Sequence, residues 1–219
     1  MSLTVIILLL IIVMLLVILM YYYFQKTTQS LLNLNSSNAP ILNKDMSNPS
    51  SVRFSYKLWV YVNSWDNTQP KNIILANVGN KLPNNFSLYL DATAPTLHCS
   101  IQSQDNKQND IIITTNCPIQ SWVYIVVSVD NQVVDCYLDG KMVKSTQLLS
   151  MPNVSNSYDI NFGVCDAYVV KFQRVPTPTD PQTVWNEYLS GNGYSSSISS
   201  YGVSVAITKD NTPIAQYSY

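Results

Sequence analysis

The stretch that most constrains the fold is Ser121–Ser145, which reads SWVYIVVSVDNQVVDCYLDGKMVKS. Val123–Val129 is almost wholly apolar and rich in β-branched and aromatic residues, which is typical of a strand covered on both faces. After a polar break, Val133–Leu138 alternates between apolar and polar residues, the pattern of a half-buried strand. Asp139-Gly140 then favours a type I′ turn, because both central residues of that turn have positive φ. The stretch therefore predicts a three-stranded antiparallel meander that ends with Lys141–Ser145.

Short apolar stretches of the same kind lie on both sides of the meander, separated by turns that carry Pro, Asn or Asp. Asp180–Leu189 is the one predicted helix, with Asp180 as its N-cap, Pro181 at its first position and Gly191 beyond its end. About ten short strands at this spacing predict an all-β antiparallel sandwich over residues 52–190. The candidate strands outside the meander are Phe54–Val62, Ile73–Val78, Asn85–Leu90, Thr96–Gln102, Ile111–Thr115, Tyr158–Gly163 and Ala167–Arg174.

The start of the chain is a long apolar segment. Val5–Phe24 carries no charge, and as a helix it would be about 30 Å long, the thickness of a bilayer core. It lacks the basic start and the small-residue cleavage pattern of a signal peptide. Tyr21-Tyr22-Tyr23 would lie at the membrane interface, and Lys26 favours a cytoplasmic C-terminal domain. We therefore expect a single-pass membrane protein in which residues 1–25 are a transmembrane anchor in the lipid bilayer.

Two further segments flank the predicted sandwich. Residues 26–51 are polar and are predicted to be a tether, whereas residues 191–219 are predicted to be a linker followed by a hairpin. In that hairpin Gly202–Thr208 pairs with Pro213–Tyr219. Glycosylation sequons would place the domain on the other side of the membrane, but such triplets arise by chance in a chain rich in Asn, Ser and Thr. The sequons begin at Asn35, Asn85 and Asn153.

Composition excludes some functions. Charged residues make up 11% of the chain and the net charge is −1, so the chain has no basic field to hold nucleic acid. The four cysteines are not spaced as metal ligands. They form either one or two disulfides or four reduced, buried thiols, and we favour the second interpretation. They are Cys99, Cys117, Cys136 and Cys165.

Candidate catalytic groups are few. Glu187 is the only glutamate and His98 the only histidine. Glycosidases need two carboxyl groups a few ångströms apart, and nucleophilic catalysis by histidine needs a nucleophile and an orienting group beside it. Glu187 lies in the predicted helix and His98 on a predicted strand. We therefore predict that the protein is not an enzyme.

Several landmarks together resemble the laminin-G-like branch of the concanavalin A-like jelly-roll superfamily. They are the strands FSYKLWVYV and NFSLYLD, Trp122 at the start of a β-run, the turn Tyr137-Leu138-Asp139-Gly140, and the late stretch VVKFQRVPTPTDPQTVWNEYL. The resemblance spans residues 52–190. It implies a jelly-roll sandwich in which Trp122, Tyr137, Asp139 and Gly140 are structural residues.

The same resemblance implies a calcium ion, because laminin-G-like domains often hold one between loops through Asp and backbone oxygens. The candidate ligands are Asp91, Asp159 and Asp166 at predicted strand ends. The alternative is that these aspartates form turns, which is the commoner role of loop aspartates.

The anchored, Asn-, Ile- and Tyr-rich chain also resembles proteins of large eukaryotic DNA viruses that lie between the internal membrane and the capsid shell. This resemblance implies a minor capsid protein of the virion that links the membrane to capsid proteins. The alternative is a lectin-like module that binds glycans at a surface. Trp59, Tyr61 and Trp65 would then stack on sugar rings, although they would equally fill a protein interface.

Overall fold

The computed structural model describes residues 12–18, 31–35, 38–64, 69–77, 84–154, 158–193, 204–209 and 212–218. The described part of helix α1 covers residues 12–18, and a 3₁₀ turn covers Asn43–Asp45. The other elements are β1 (Leu32–Asn33), β2 (Arg53–Val62), β3 (Lys71–Asn77), β4 (Phe86–Leu90), β5 (Leu97–Gln102), β6 (Gln108–Thr114), β7 (Trp122–Asp130), β8 (Val133–Leu138), β9 (Lys141–Gln147), β10 (Asp159–Phe162), β11 (Ala167–Val175), α2 (Pro181–Leu189), β12 (Ser204–Lys209) and β13 (Thr212–Ser218).

Two antiparallel sheets form the sandwich. The six-stranded sheet has the order β1-β11-β2-β7-β8-β9, and the five-stranded sheet has the order β10-β3-β4-β5-β6. Alternate residues of both sheets point inward and form one core, as Leu58 and Ile125 do from one sheet and Leu88 and Leu97 from the other. All four are fully buried. The prediction of an all-β antiparallel sandwich is therefore confirmed.

The predicted meander consists of β7, β8 and β9, and its turn has positive φ at both Asp139 (47°) and Gly140 (80°). Every strand predicted between residues 52 and 175 is present, with ends that differ by at most three residues. One difference concerns β8, which was expected to be half-buried. Tyr137 on its outer side is also buried, because α2 covers this part of the sheet.

Helix α2 begins as its sequence predicts. The Asp180 side chain accepts a hydrogen bond from the Thr183 N–H, and Pro181 opens the first turn. Its buried residue Val184 lies on the outer face of the six-stranded sheet. This second hydrophobic cluster contains Trp59, Tyr124, Val126, Tyr137, Val170 and Val184, with Trp122 and Tyr188 at its margin.

The predicted single-pass membrane localisation is wrong. Over the ranges that the structure describes, no helix is both long enough and apolar enough to cross a membrane. Of the predicted anchor, the structure describes residues 12–18, which are helical. The rest of the predicted anchor, including Tyr21-Tyr22-Tyr23 and Lys26, lies outside the described residues.

The described part of the predicted tether lies on the sandwich. Strand β1 pairs with β11, and Leu34 is fully buried. Further along, Ile41 forms a bridge with Ile160 of β10, and the Arg174 guanidinium donates to the carbonyl oxygens of Ser47 and Pro49. Beyond the sandwich, β12 and β13 pair as an antiparallel hairpin with Lys209 opposite Thr212.

Candidate functional site

Three aromatic side chains form a row across the outer face of the six-stranded sheet. Tyr168 of β11 is the register partner of Tyr61 of β2, and Tyr61 is the partner of Trp122 of β7. The ring centroids are 6.5 Å apart for Tyr61 and Tyr168 and 5.5 Å apart for Tyr61 and Trp122. All three residues are partly exposed. We call this row the aromatic platform.

The next aromatic row along the same strands is covered. Trp59 stacks on Tyr124 with centroids 5.1 Å apart and on Tyr188 of α2 with centroids 5.7 Å apart. Trp59 retains only 6% of its accessible surface. Helix α2 ends at Leu189, so it covers the Trp59 row but leaves the aromatic platform partly exposed.

Polar groups border the platform at the strand ends. The Asp166 carboxylate accepts hydrogen bonds from Asn35 Nδ2 (2.7 Å), from Asn63 Nδ2 (3.1 Å) and from the Ser64 hydroxyl. The hydrogen bonds from Ser64 and Asn35 lower the pKa of Asp166 below its usual value. Gln120 Nε2 donates to the Asn63 carbonyl oxygen at 3.3 Å. We call these five residues the polar rim.

The calcium candidates do not form one site. Leu90, which precedes Asp91, pairs with Lys71 at one end of β3, and Asp159 pairs with Asn77 at the other end. Six residues of strand separate them by about 20 Å, so one ion cannot bind both. Among the residues that the structure describes, no group of three or more His, Cys, Asp or Glu is arranged to hold a metal.

Each of these three carboxylates also accepts a hydrogen bond from a donor within the protein. Asp91 Oδ1 accepts from the Ala92 N–H at 2.5 Å, and Asp159 Oδ1 accepts from the Asn43 N–H at 2.8 Å. Asp166 belongs to the polar rim. Each aspartate therefore ties its own loop or segment in place.

A small cavity lies between the C-terminal end of α2 and the outer face of β2, β7 and β11. Glu187 accepts from Lys57 Nζ and from the Tyr124 hydroxyl, each at 2.7 Å. Lys171 Nζ donates to the Gly191 carbonyl oxygen at 2.6 Å, and burial lowers the pKa of Lys171. The cavity, which we call the charged cavity, has a volume of about 160 Å³ and is lined by Lys57, Trp59, Tyr124, Lys171, Gln173, Glu187 and Ser190.

A larger cleft lies on the other side of α2. It holds about 650 Å³ between the segment of residues 176–181 and the outer face of β7 and β8. Its polar groups include the ion pair of Arg53 with Asp130, whose Nε and Oδ1 atoms are 2.9 Å apart. Both side chains of that pair are about half exposed.

Glu187 and His98 lie in different parts of the sandwich. His98 is on the outer face of the five-stranded sheet, where its Nδ1 lies 2.8 Å from Asp110 Oδ2. Its ring stacks on Tyr89 with centroids 5.0 Å apart. Burial and the hydrogen bond to Asp110 raise the pKa of Tyr89 to about 12. His98 Nε2 has no hydrogen-bond partner within the described part of the chain, so no nucleophile from that part is bound to it.

The structure separates the three aromatic residues that the sequence suggested. Tyr61 belongs to the aromatic platform, Trp59 is buried beneath Tyr188, and Trp65 lies outside the described residues. Sequence analysis assigned Trp122 a structural role alone and did not single out Tyr168, although both belong to the aromatic platform. The alternation of β7 and β11 carried the signal, because both residues are in phase with the outward-facing positions.

Solved structures of known proteins share this fold. The binding domain of botulinum neurotoxin DC in complex with rat synaptotagmin II matches with a TM-score of 0.56 and 15% identity, over 74% of this chain and 46% of that chain. The same toxin's domain in complex with SialylT matches with a TM-score of 0.52 and 16% identity, over 64% and 36%. A structure of botulinum neurotoxin type C, whose cell entry is dependent upon interaction with two ganglioside molecules, matches with a TM-score of 0.50 and 16% identity, over 63% and 35%.

These identities show a common fold alone, and the chain spans less than half the length of each neighbour. A search of curated proteins finds no match. The family model described as the concanavalin A-like lectin/glucanases superfamily (Laminin_G_3) matches residues 35–193. That match covers most of the chain and includes α2 and every strand of the two sheets except β1. The chain therefore belongs to the concanavalin A-like lectin/glucanases superfamily.

Proposed function

We propose that this protein is a non-enzymatic, lectin-like module that binds glycans on the aromatic platform. The observation that carries the proposal is the row of three partly exposed rings, Tyr61, Trp122 and Tyr168, beside a row that α2 covers. A sugar ring has an apolar C–H face that packs on an aromatic ring, and its hydroxyl groups need hydrogen-bond partners. The polar rim offers amide, hydroxyl and carboxylate groups at the same edge.

The chemistry of the other candidate groups supports binding rather than hydrolysis. Both Glu187 oxygens already accept hydrogen bonds, and the described lining of its cavity holds no second carboxylate. A glycosidase needs that second carboxylate. Two structural neighbours have the same fold. One is a neurotoxin binding domain in complex with SialylT, and the other is a neurotoxin whose cell entry is dependent upon interaction with two ganglioside molecules.

The expected affinity of one platform is low. Covering about 150 Å² of apolar surface contributes about 4 kcal/mol before the costs of association. A Kd near 1 mM corresponds to about 4 kcal/mol, so a single sugar should bind in the millimolar range or more weakly. A test therefore needs multivalent display, which raises the apparent affinity without new contacts.

The decisive experiment is a glycan array probed with the full chain clustered on a multivalent carrier. We expect Tyr61→Ala and Tyr168→Ala to lower binding at least tenfold, because each substitution removes a stacking ring. Tyr89→Ala is the matched control, since Tyr89 is a partly exposed tyrosine on the outer face of the other sheet. Circular dichroism melts would establish that all three variants fold. Absence of any bound glycan, or equal loss in Tyr89→Ala, would contradict the proposal.

Protein binding is a second candidate function. Strand β9 is at the edge of the six-stranded sheet, and its Met142 and Val143 are 47% and 45% exposed. An edge strand that pairs on one side within the described part of the chain can accept a strand from another chain. The minor capsid role inferred from sequence is one specific form of this candidate. Binding of the full chain to purified capsid protein, unchanged by Tyr61→Ala, would favour it over glycan binding.

A further inference from the structure

The charged cavity holds one more positive than negative charge. Lys57 and Glu187 form an ion pair in which the Lys57 side chain is only 7% exposed. Lys171 lines the same cavity, and no carboxylate among the described residues pairs with it. Its ammonium group has three N–H donors, and the Gly191 carbonyl oxygen accepts only one hydrogen bond from them. The cavity therefore presents unused donors and a net charge of about +1.

The backbone is distorted where it places this lysine. The pairing of β11 with β2 shifts register between Val170 and Gln173, and Lys171 within this bulge has φ of 53°. A bulge redirects a side chain, and a left-handed conformation at a residue other than glycine costs about 1–2 kcal/mol. Partial burial of an ammonium group without an opposite charge adds a further cost. Costs of this kind cluster at binding sites.

The cavity and the aromatic platform lie on the same face of the same strands. Trp59, which walls the cavity, is two residues before Tyr61 on β2, a distance of about 7 Å. On β11, Lys171 follows Tyr168 by three residues across the bulge. Because Tyr188 covers Trp59, a substituent of a sugar on the platform would approach the cavity along β11, from Tyr168 towards Lys171. A volume of about 160 Å³ equals that of about five water molecules at ~30 Å³ each, enough for a carboxylate or sulfate group.

We propose that the charged cavity receives the monoanionic substituent, a carboxylate or a sulfate ester, of a sugar whose ring lies on the aromatic platform. This inference rests on the glycan binding proposed above and specifies its ligand as an acidic sugar. A single negative charge matches the net charge of the cavity. A phosphate ester carries about −1.5 to −2 at neutral pH, and the nearby Glu187 carboxylate would repel the excess.

The test uses the full chain on an array of matched oligosaccharides at low salt. The probes are glucans and galactans that end in hexose, in the corresponding hexuronic acid, or in 6-sulfogalactose. We expect at least tenfold stronger binding to the acidic member of a pair. Comparison of the uronic acid and sulfate arms identifies which monoanion is preferred. The preference should shrink between 0.05 M and 0.5 M NaCl, since salt screens the attraction between charges.

The decisive variant is Lys171→Asn, because asparagine tolerates positive φ better than most residues. It removes the charge together with the hydrogen bond to the Gly191 carbonyl oxygen. We expect its preference for acidic sugars to fall below twofold, while binding of neutral sugars is kept. Lys171→Arg should keep the preference, as should the control Lys141→Asn on exposed β9. This inference fails, while the proposed function stands, if the protein binds neutral sugars as strongly as acidic ones. It also fails if the preference for acidic sugars survives in Lys171→Asn. Failure to bind any sugar would overturn the proposed function as well.

Discussion

Gly140 shows how one residue links the central meander to α2. It has φ of 80°, and a Cβ atom at this position would lie 2.7 Å from Trp185 Cε3 and 3.1 Å from Tyr188 Cβ. The preceding residue also fastens this turn, since Asp139 Oδ1 accepts the Tyr124 N–H at 2.8 Å. Glycine is therefore required at this position for two reasons, the positive φ and the close approach of the helix.

Gly140→Ala should destabilise the protein by more than the backbone effect alone. The left-handed conformation costs about 1–2 kcal/mol for a residue with a Cβ, and the contact with Trp185 adds to that value. Urea denaturation of the variant and the parent would measure the difference in the free energy of unfolding.

A double-mutant cycle separates the two contributions. Trp185 is 37% exposed, so Trp185→Ala is tolerable by itself. In its background Gly140→Ala should cost less, because only the backbone contribution and the contact with Tyr188 Cβ remain. If the cost of Gly140→Ala is the same with and without Trp185, then the predicted contact is not the cause. A variant that unfolds at the same urea concentration as the parent would contradict the turn assignment itself.

At the scale of elements, the segment of residues 176–181 leads from β11 into α2 and is tied to the outer face of the sheet. Ser55 Oγ donates to the Thr177 carbonyl oxygen at 2.7 Å. Ser128 Oγ accepts the Thr179 N–H at 2.9 Å, and the Thr179 hydroxyl donates to Ser55 Oγ at 2.9 Å. These hydrogen bonds are buried or partly buried, so they set where α2 starts and hence which aromatic row it covers.

Ser128→Ala should reduce the free energy of unfolding by about 1–3 kcal/mol, because it leaves the buried Thr179 N–H without a partner. Ser145→Ala is the matched control, since Ser145 is exposed on β9 and its substitution should change stability by less than about 0.5 kcal/mol. Urea denaturation monitored by tryptophan fluorescence would measure both. Equal stability of the two variants would show that the segment is not held by this hydrogen bond.

At the scale of the whole molecule, burial of thiol and phenol groups predicts how stability depends on pH. The four cysteines are free thiols. Burial raises the pKa of Cys117 and Cys136 to about 12 and that of Cys165 to about 11, from an ordinary value of 9.0. Burial likewise raises the pKa of Tyr89 and Tyr137 from 10.0 to about 12. In each case the folded state resists ionisation more than the unfolded state does.

The sign of the effect follows from linkage. Above pH 9 the unfolded chain loses protons that the folded protein retains, so the free energy of unfolding falls as pH rises from about 9 to 12. Below pH 9 this contribution is complete and constant. Lys171, whose pKa is lowered, acts in the opposite direction, but it is one group against several. We expect a progressive loss of stability between pH 9 and 11, measured by urea denaturation under reducing conditions.

Tyr89→Phe provides the control for this prediction. Removal of one phenol should make the decline above pH 10 shallower, by well under the one-proton slope of about 1.4 kcal/mol per pH unit because Tyr89 is partly exposed. Unchanged stability of the parent up to pH 11 would contradict the burial of these groups.

The sequence by itself determined the elements whose signals are local. Apolar alternation located β2, β7 and β8, and Asp139-Gly140 located the turn, because side-chain direction and turn type depend on neighbouring residues. Asp180 and Pro181 marked the start of α2 for the same reason. Hydropathy alone was misleading for Val5–Phe24, since the membrane localisation inferred from it is wrong.

Only the tertiary structure decided which outward residues form a site. Trp59 and Tyr61 occupy equivalent outward positions of one strand, yet Tyr188, about 130 residues later, covers the first and not the second. The partners of Asp166 lie about 100 and 130 residues earlier, in Asn63, Ser64 and Asn35. The order of strands in an antiparallel sandwich brings such distant residues together, and the bulge that redirects Lys171 exists only where β11 pairs with β2. No local pattern encodes those contacts, because they depend on how whole strands and α2 pack against one another.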